Sequence, residues 1–175
     1  MSSSSVKRNA ILSLLTLATF ICCGLMANAQ EDQVDYDGFL SLTGEIAEYR
    51  ESRLVDLDTF NAMKGEAGTI LLDTRSKSAY MMGHIDGAVH LNFSDFTDEK
   101  LAEIIPSRDT RILIYCNNNF TDNIAPVMLK RVELALNVPT FINLYGYGYE
   151  NIYELDGAYS LENPGIAWVS EIDPL

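Results

Sequence analysis

The sequence predicts an α/β domain with a central parallel sheet flanked by helices and a short N-terminal extension, and three observations carry that expectation. From Arg53 onward, short β-type runs alternate with helical segments. The run Ile112-Leu113-Ile114-Tyr115 is continuously apolar, as a strand covered on both faces must be. The 175 residues are 47% hydrophobic and 21% charged, a balance that suits one globular core and excludes disordered, collagenous and disulfide-scaffold classes.

Residues 1–29 read as a secretory signal. Lys7 and Arg8 form a basic start, Ala10 to Met26 is mostly apolar, and Ala27-Asn28-Ala29 is a small-x-small cleavage site. The mature protein is expected to begin at Gln30, to be periplasmic or secreted, and to make no stable membrane insertion once the signal is removed. An uncleaved anchor is the competing reading, against which Ser13, Thr16 and Thr19 dilute the apolar run. Lipid attachment at Cys22 is disfavoured by the bulky Phe20 and Ile21 before it. Removal of the signal takes Cys22 and Cys23 with it and leaves Cys116 alone, which excludes an intramolecular disulfide. A lone exported thiol is either buried and inert or retained for chemistry.

The extension, residues 30–52, begins acidic and then carries Phe39, Leu42, Ile46 and Tyr49 at helical spacing. A short strand at Leu54-Val55, a helix over Asp58 to Met63 and an apolar strand over Thr69 to Leu72 follow. The spacing predicts a helix from Asp98 to Ile105. Thr97 is its N-cap, Asp98 and Glu99 suit the positive end of its dipole, and Pro106 ends it. The strand Arg111 to Tyr115 then stops at Cys116, and in open α/β sheets ligands bind beyond the carboxyl ends of strands. Asn117-Asn118-Asn119 tolerates left-handed backbone geometry and suits a tight loop with inward-pointing amides, a concave ring that stabilises a sulfur anion.

Charge narrows the partners. The chain has 12 Lys and Arg against 25 Asp and Glu, a net −13; only Lys7 and Arg8 precede Glu31, so from Gln30 onward 10 stand against 25, a net −15. A field of that sign repels nucleic acid and anionic lipid. The acidic residues are scattered, as on a solvated surface.

Several motifs now fall in order: Leu71-Leu72-Asp73-Thr74-Arg75, then Tyr80 followed by Gly83-His84-Ile85-Asp86-Gly87-Ala88, then Ile112 to Cys116, then Gly148 to Gly157. Over about Arg53 to Ala158 the chain resembles the rhodanese (sulfurtransferase) family. The resemblance implies a rhodanese-like domain at residues 53–160 and a C-terminal tail at 161–175. It implies that Cys116 is the catalytic nucleophile, attacking a sulfane sulfur to form a persulfide. The backbone amides of Asn117, Asn118, Asn119, Phe120, Thr121 and Asp122 would cradle the anion and favour the thiolate, with Asp73 and Arg75 in support. The expected partners are a small sulfur donor (thiosulfate, polysulfide or a protein persulfide) and a thiol or cyanide-type acceptor, with no metal or organic cofactor.

The chain departs from the family pattern in three places. Asn117 and Asn119 stand where a basic residue and a glycine are common, Ala158 replaces a second glycine, and no Lys or Arg falls between Cys116 and Lys130. The 32 residues from Cys116 to Gly148 are long for the usual connection. An insertion over about Asp122 to Asn137 is therefore expected beside the loop, with Pro139 to Gly146 supplying the helix before the last strand. Lys130 and Arg131 are expected to bring positive charge to the site. His84 and His90 read as packing residues, and Tyr145, Tyr147, Tyr149 and Tyr153 as core or edge. A phosphatase of related architecture needs an arginine six residues after the cysteine, where this chain has Asp122. The remaining alternative is a non-catalytic rhodanese-like module that binds a partner or senses redox state.

Overall fold

The computed structural model describes residues 33–171; the expected signal at residues 1–29 lies outside them. Five parallel strands form the central sheet: β1 (Leu54–Val55), β2 (Thr69–Asp73), β4 (Val89–His90), β5 (Arg111–Tyr115) and β6 (Ile152–Leu155), in spatial order β1-β6-β5-β2-β4. β5 is central. Its side chains alternate between faces, and both faces are covered, which is why the run is apolar at every position. Ile112 and Ile114 join Leu72, Phe141, Leu144 and Ile152 on one side, while Leu113 and Tyr115 join Phe60, Leu71, Phe120 and Leu155 on the other.

Five helices cover the sheet: α1 (Tyr36–Glu51), α2 (Leu57–Lys64), α3 (Lys77–Met82), α4 (Asp98–Ile104) and α5 (Asn137–Gly146). Three of them begin on a side-chain cap that satisfies an otherwise orphan amide. Asp56 accepts from the Thr59 amide, Ser76 from Ala79 and Thr97 from Lys100. The described residues from Tyr36 onward form one compact unit. Within it α1 is longer than its apolar spacing implied, and only part of the predicted face is used. Ile46 is buried and Leu42 and Tyr49 pack partly against the core, but Phe39 is exposed. Leu42 already lies against Gly146, the last residue of α5, so Phe39 has no helix surface to meet.

Residues 161–175, expected as a tail, contribute to the core within their described part. Ile166 is fully buried, and β7 (Trp168–Val169) pairs antiparallel with β3 (His84–Ile85). Trp168 packs edge-on against Phe120, with ring centroids 5.1 Å apart, and lies directly over Gly83. A Cβ at Gly83 would collide with the indole ring. The Gly83→Ala variant is therefore expected to lose about 1–3 kcal/mol, read from the urea midpoint with Trp168, the single tryptophan, as the fluorescent probe. A midpoint equal to wild type would show that this contact does not clamp the hairpin.

Candidate active site

Cys116 follows the last residue of β5, at the carboxyl edge of the sheet between the ends of β2 and β6. It is 1% exposed. Burial pushes its thiol above the ordinary range, opposed by main-chain N–H groups of Asn137, Asn118 and Leu136 directed at the sulfur, while the charge of Glu154 acts in the same direction as burial. Removal of the sulfur from water thus works against the thiolate that the sequence suggested, and the amides directed at it work for it.

The donor set also differs from the contiguous cradle expected at residues 117–122. Asn117–Asn119 forms one 3-10 turn in which the Asn119 amide donates to Cys116 O and the Phe120 amide to Asn117 O. The Thr121 amide donates to Tyr159 O. The Phe120 and Thr121 N–H groups are occupied within the fold, whereas Asn118 turns its amide toward the sulfur and Asn119 shares its own between Cys116 O and the Cys116 side chain. Phe120 is a core residue, Thr121 is exposed, and the Asp122 carboxylate accepts from the Leu161 amide at 2.9 Å, tying the loop to the C-terminal segment. The remaining donors, Leu136 and Asn137, come from the N-terminus of α5, sixteen or more residues downstream by the numbering of Phe120 and Leu136. The first amides of a helix lack intrahelical partners and carry the positive end of its dipole, so α5 supplies what the loop cannot.

Asn119 is the fixture of the loop. Its Oδ1 accepts from the Cys116 amide at 2.9 Å and from Asn137 Nδ2 at 3.1 Å, and its Nδ2 donates to Leu155 O and Gly157 O at 2.8 and 3.0 Å. Gly157, at φ +84°, accepts there in a turn that glycine adopts without strain. Thr74 and Thr140 hydroxyls, 2.9 Å apart and buried, join the end of β2 to the first turn of α5.

Asp73 and Arg75 form a buried ion pair, 2.6 Å between Oδ2 and Nη2, with the guanidinium also donating to Gly83 O. Tyr115 Oη donates to Asp73 Oδ2 at 2.6 Å and accepts from the Ile85 amide. The pair braces the β2 end and the Gly83 loop. His84 lies stacked on Tyr80, with ring centroids 3.9 Å apart, and His90 Nε2 lies 2.8 Å from Arg75 O.

A small cleft of about 160 Å³ adjoins the loop, lined by Arg75, Ser76, Asn117, Asn118, Lys130 and Leu136 among others. The segment after the loop, where an insertion was expected, closes one side of it. Asn117 Nδ2 donates to Met128 O, and Asn118 exchanges two bonds with the Lys130 backbone at 2.8 and 3.1 Å. Lys130 therefore stands at the cleft, whereas Arg131 is exposed and does not line it.

The sequence profile described as Rhodanese-like domain matches residues 56–161. The chain belongs to the rhodanese-like domain family. It is 28% identical over 102 residues to the thiosulfate sulfurtransferase GlpE of Pseudomonas entomophila, covering 57% of this chain and 74% of that protein. It is 26% identical over 111 residues to the tRNA uridine(34) hydroxylase of Cytophaga hutchinsonii, covering 61% of this chain but only 31% of the hydroxylase. A solved rhodanese-like domain from an Anabaena protein is 21% identical, with a TM-score of 0.43, over 61% of this chain and 97% of its own.

In this rhodanese-like domain the residues that sequence reasoning missed are Leu136 and Asn137, which deliver the helix amides, and Glu154 with Arg50, which stand behind Asn137. A usable signal existed for the first two: Pro139 is tolerated in a first helical turn, so the helix could have been started at Asn137. Asn119→Ala would remove the partner of the Cys116 amide and of the Leu155 and Gly157 carbonyls, an expected loss of about 2–3 kcal/mol in chemical denaturation. Cys116 in the native protein should titrate above the free-thiol value of about 8.5, since burial favours the neutral form; a carbamidomethylation rate saturating below that pH would contradict the site geometry.

Proposed function

We propose that this protein is a sulfurtransferase of the rhodanese type in which Cys116 carries sulfane sulfur as a persulfide. The observation that supports it most directly is the set of neutral main-chain N–H donors, from Asn118, Asn119, Leu136 and Asn137, directed at the Cys116 sulfur. Such donors hold an anionic sulfur without a fixed positive charge. With thiosulfate as donor, the Cys116 thiolate attacks the outer sulfur, a new S–S bond forms, the old one breaks and sulfite departs with its electron pair. An acceptor thiolate or cyanide then takes the terminal sulfur and returns the Cys116 thiolate. The relative named thiosulfate sulfurtransferase supports this substrate class. Polysulfide or a protein persulfide are further donors of the same chemistry.

Lys130 lines the cleft together with Arg75, which is paired with Asp73, and on a chain of net charge −13 the proposed role of Lys130 is to draw an anionic donor toward Cys116. The reading extends to location: cleavage after Ala29 and a periplasmic or secreted mature protein beginning at Gln30 are proposed on the three-part composition of residues 1–29. The near-complete burial of Cys116 favours a second reading, a non-catalytic module in which the cysteine is a packing residue.

Intact mass separates the two. Reduced protein incubated with thiosulfate or polysulfide should gain one sulfur, lost on cyanide or thiol treatment and absent from Cys116→Ser. No adduct from either donor, with Cys116 still open to alkylation, would leave the binding-module reading. Lys130→Glu should lower kcat/KM for thiosulfate about tenfold at low salt, with the deficit shrinking as salt rises; an unchanged value would remove Lys130 from donor capture.

A further inference from the structure

Glu154 is a buried carboxylate on β6 that the sulfur chemistry does not itself require. Its side chain lies on the same sheet face as Ile152, beneath the start of α5. Oε1 accepts from Asn137 Nδ2 at 3.1 Å, and the same Nδ2 donates to Asn119 Oδ1, the acceptor of the Cys116 amide. Asn137 is therefore held through its side chain by Glu154 and Asn119 while its main-chain N–H faces the sulfur. A buried carboxylate without a counter-charge is costly, and the domain matched at residues 56–161 provides none at this position. The counter-charge comes from outside that range. Arg50, in the last turn of α1, clamps Glu154 through two bonds, Nε to Oε2 at 2.6 Å and Nη2 to Oε1 at 2.8 Å. Such fork-on-carboxylate geometry fixes position as well as charge.

We propose that Arg50 of the N-terminal helix is a positioning residue for Cys116, neutralising Glu154 and holding it so that Asn137 keeps its amide on the sulfur. The helix α1 is then a working part of the site, which its position ahead of the matched domain does not suggest. The inference rests on Cys116 being the reacting group, but its mechanism is electrostatic and can be read without any sulfur transfer. The charged groups bearing on it are Glu154, whose field reaches both Cys116 and Arg50, and Asp156, which adds to the field on Arg50.

The test follows the carbon-13 Cβ resonance of Cys116 against pH in the full chain, labelled at cysteine and assigned with Cys116→Ser. Arg50→Met leaves Glu154 unpaired and should move the titration midpoint up by about one pH unit. Glu154→Gln leaves Arg50 unpaired and should move it down. Arg50→Lys and the double variant Arg50→Met/Glu154→Gln should return it close to wild type. Opposite shifts are the signature of charge, since loosening of α1 would displace both single variants in one direction. Coincident midpoints in the two single variants and wild type, or shifts of the same sign, would overturn the inference. If Arg50→Met does not fold, the downward shift in Glu154→Gln alone supports it and an unchanged or raised midpoint rejects it. Absence of a sulfur adduct in wild type together with opposite shifts would remove the transfer reading and retain this one.

Discussion

A sulfur atom at the end of the central strand has been taken almost entirely out of water, and an anion there must be solvated by N–H groups of which the neighbouring loop can give only part. Phe120 and Thr121 use their amides to close the 3-10 turn and to bind Tyr159, and Asn119 shares its own with Cys116 O. The first turn of α5 supplies the missing donors, and its register over the sheet is fixed by Asn137, Asn119 and the Thr74–Thr140 hydroxyl pair. The segment between Phe120 and Leu136 thus has a geometric consequence: it carries the chain away from the cysteine and returns it with a helix N-terminus pointed at the sulfur.

The charge distribution follows the same constraint. On a strongly acidic chain, Lys130 reaches the cleft from the segment after the loop, and Arg50 reaches behind it from the N-terminal helix. Neither lies in the short loop after the cysteine. The Asp73–Arg75 pair does a separate task on the other flank of β5, where Tyr115, Ile85 and Gly83 are gathered into a buried network that supports the strand end. The site is accordingly assembled from the ends of β2, β5 and β6 together with α5, and two of its supports enter from beyond the loop itself.

Much of the scaffold was readable from local signals. The apolar run of β5 reports burial on both faces, and Thr97 with Asp98 and Pro106 marks a helix that the structure begins at Asp98. The placement of Cys116 at the strand's carboxyl end follows from the same run. What could not be read were pairings between distant residues. Whether an amide in Asn117 to Asp122 is free depends on Tyr159 and on the turn's own closure, and a sequence of asparagines does not disclose that. Phe39 shares helical spacing with Ile46, yet the length of α5 decides that only one of them is covered. Glu154 looks like a polar position on an edge-type strand until Arg50, 104 residues earlier, is brought against it.

The central claim is that the sulfur on Cys116 is held by amides from two separated segments. A crystal structure of the protein loaded with thiosulfate or polysulfide measures this directly. The account predicts a second sulfur bonded to Cys116 Sγ, within hydrogen-bonding distance of the Asn118, Leu136 and Asn137 amides. A second sulfur held instead by the Phe120 and Thr121 amides, with α5 displaced from the site, would contradict it.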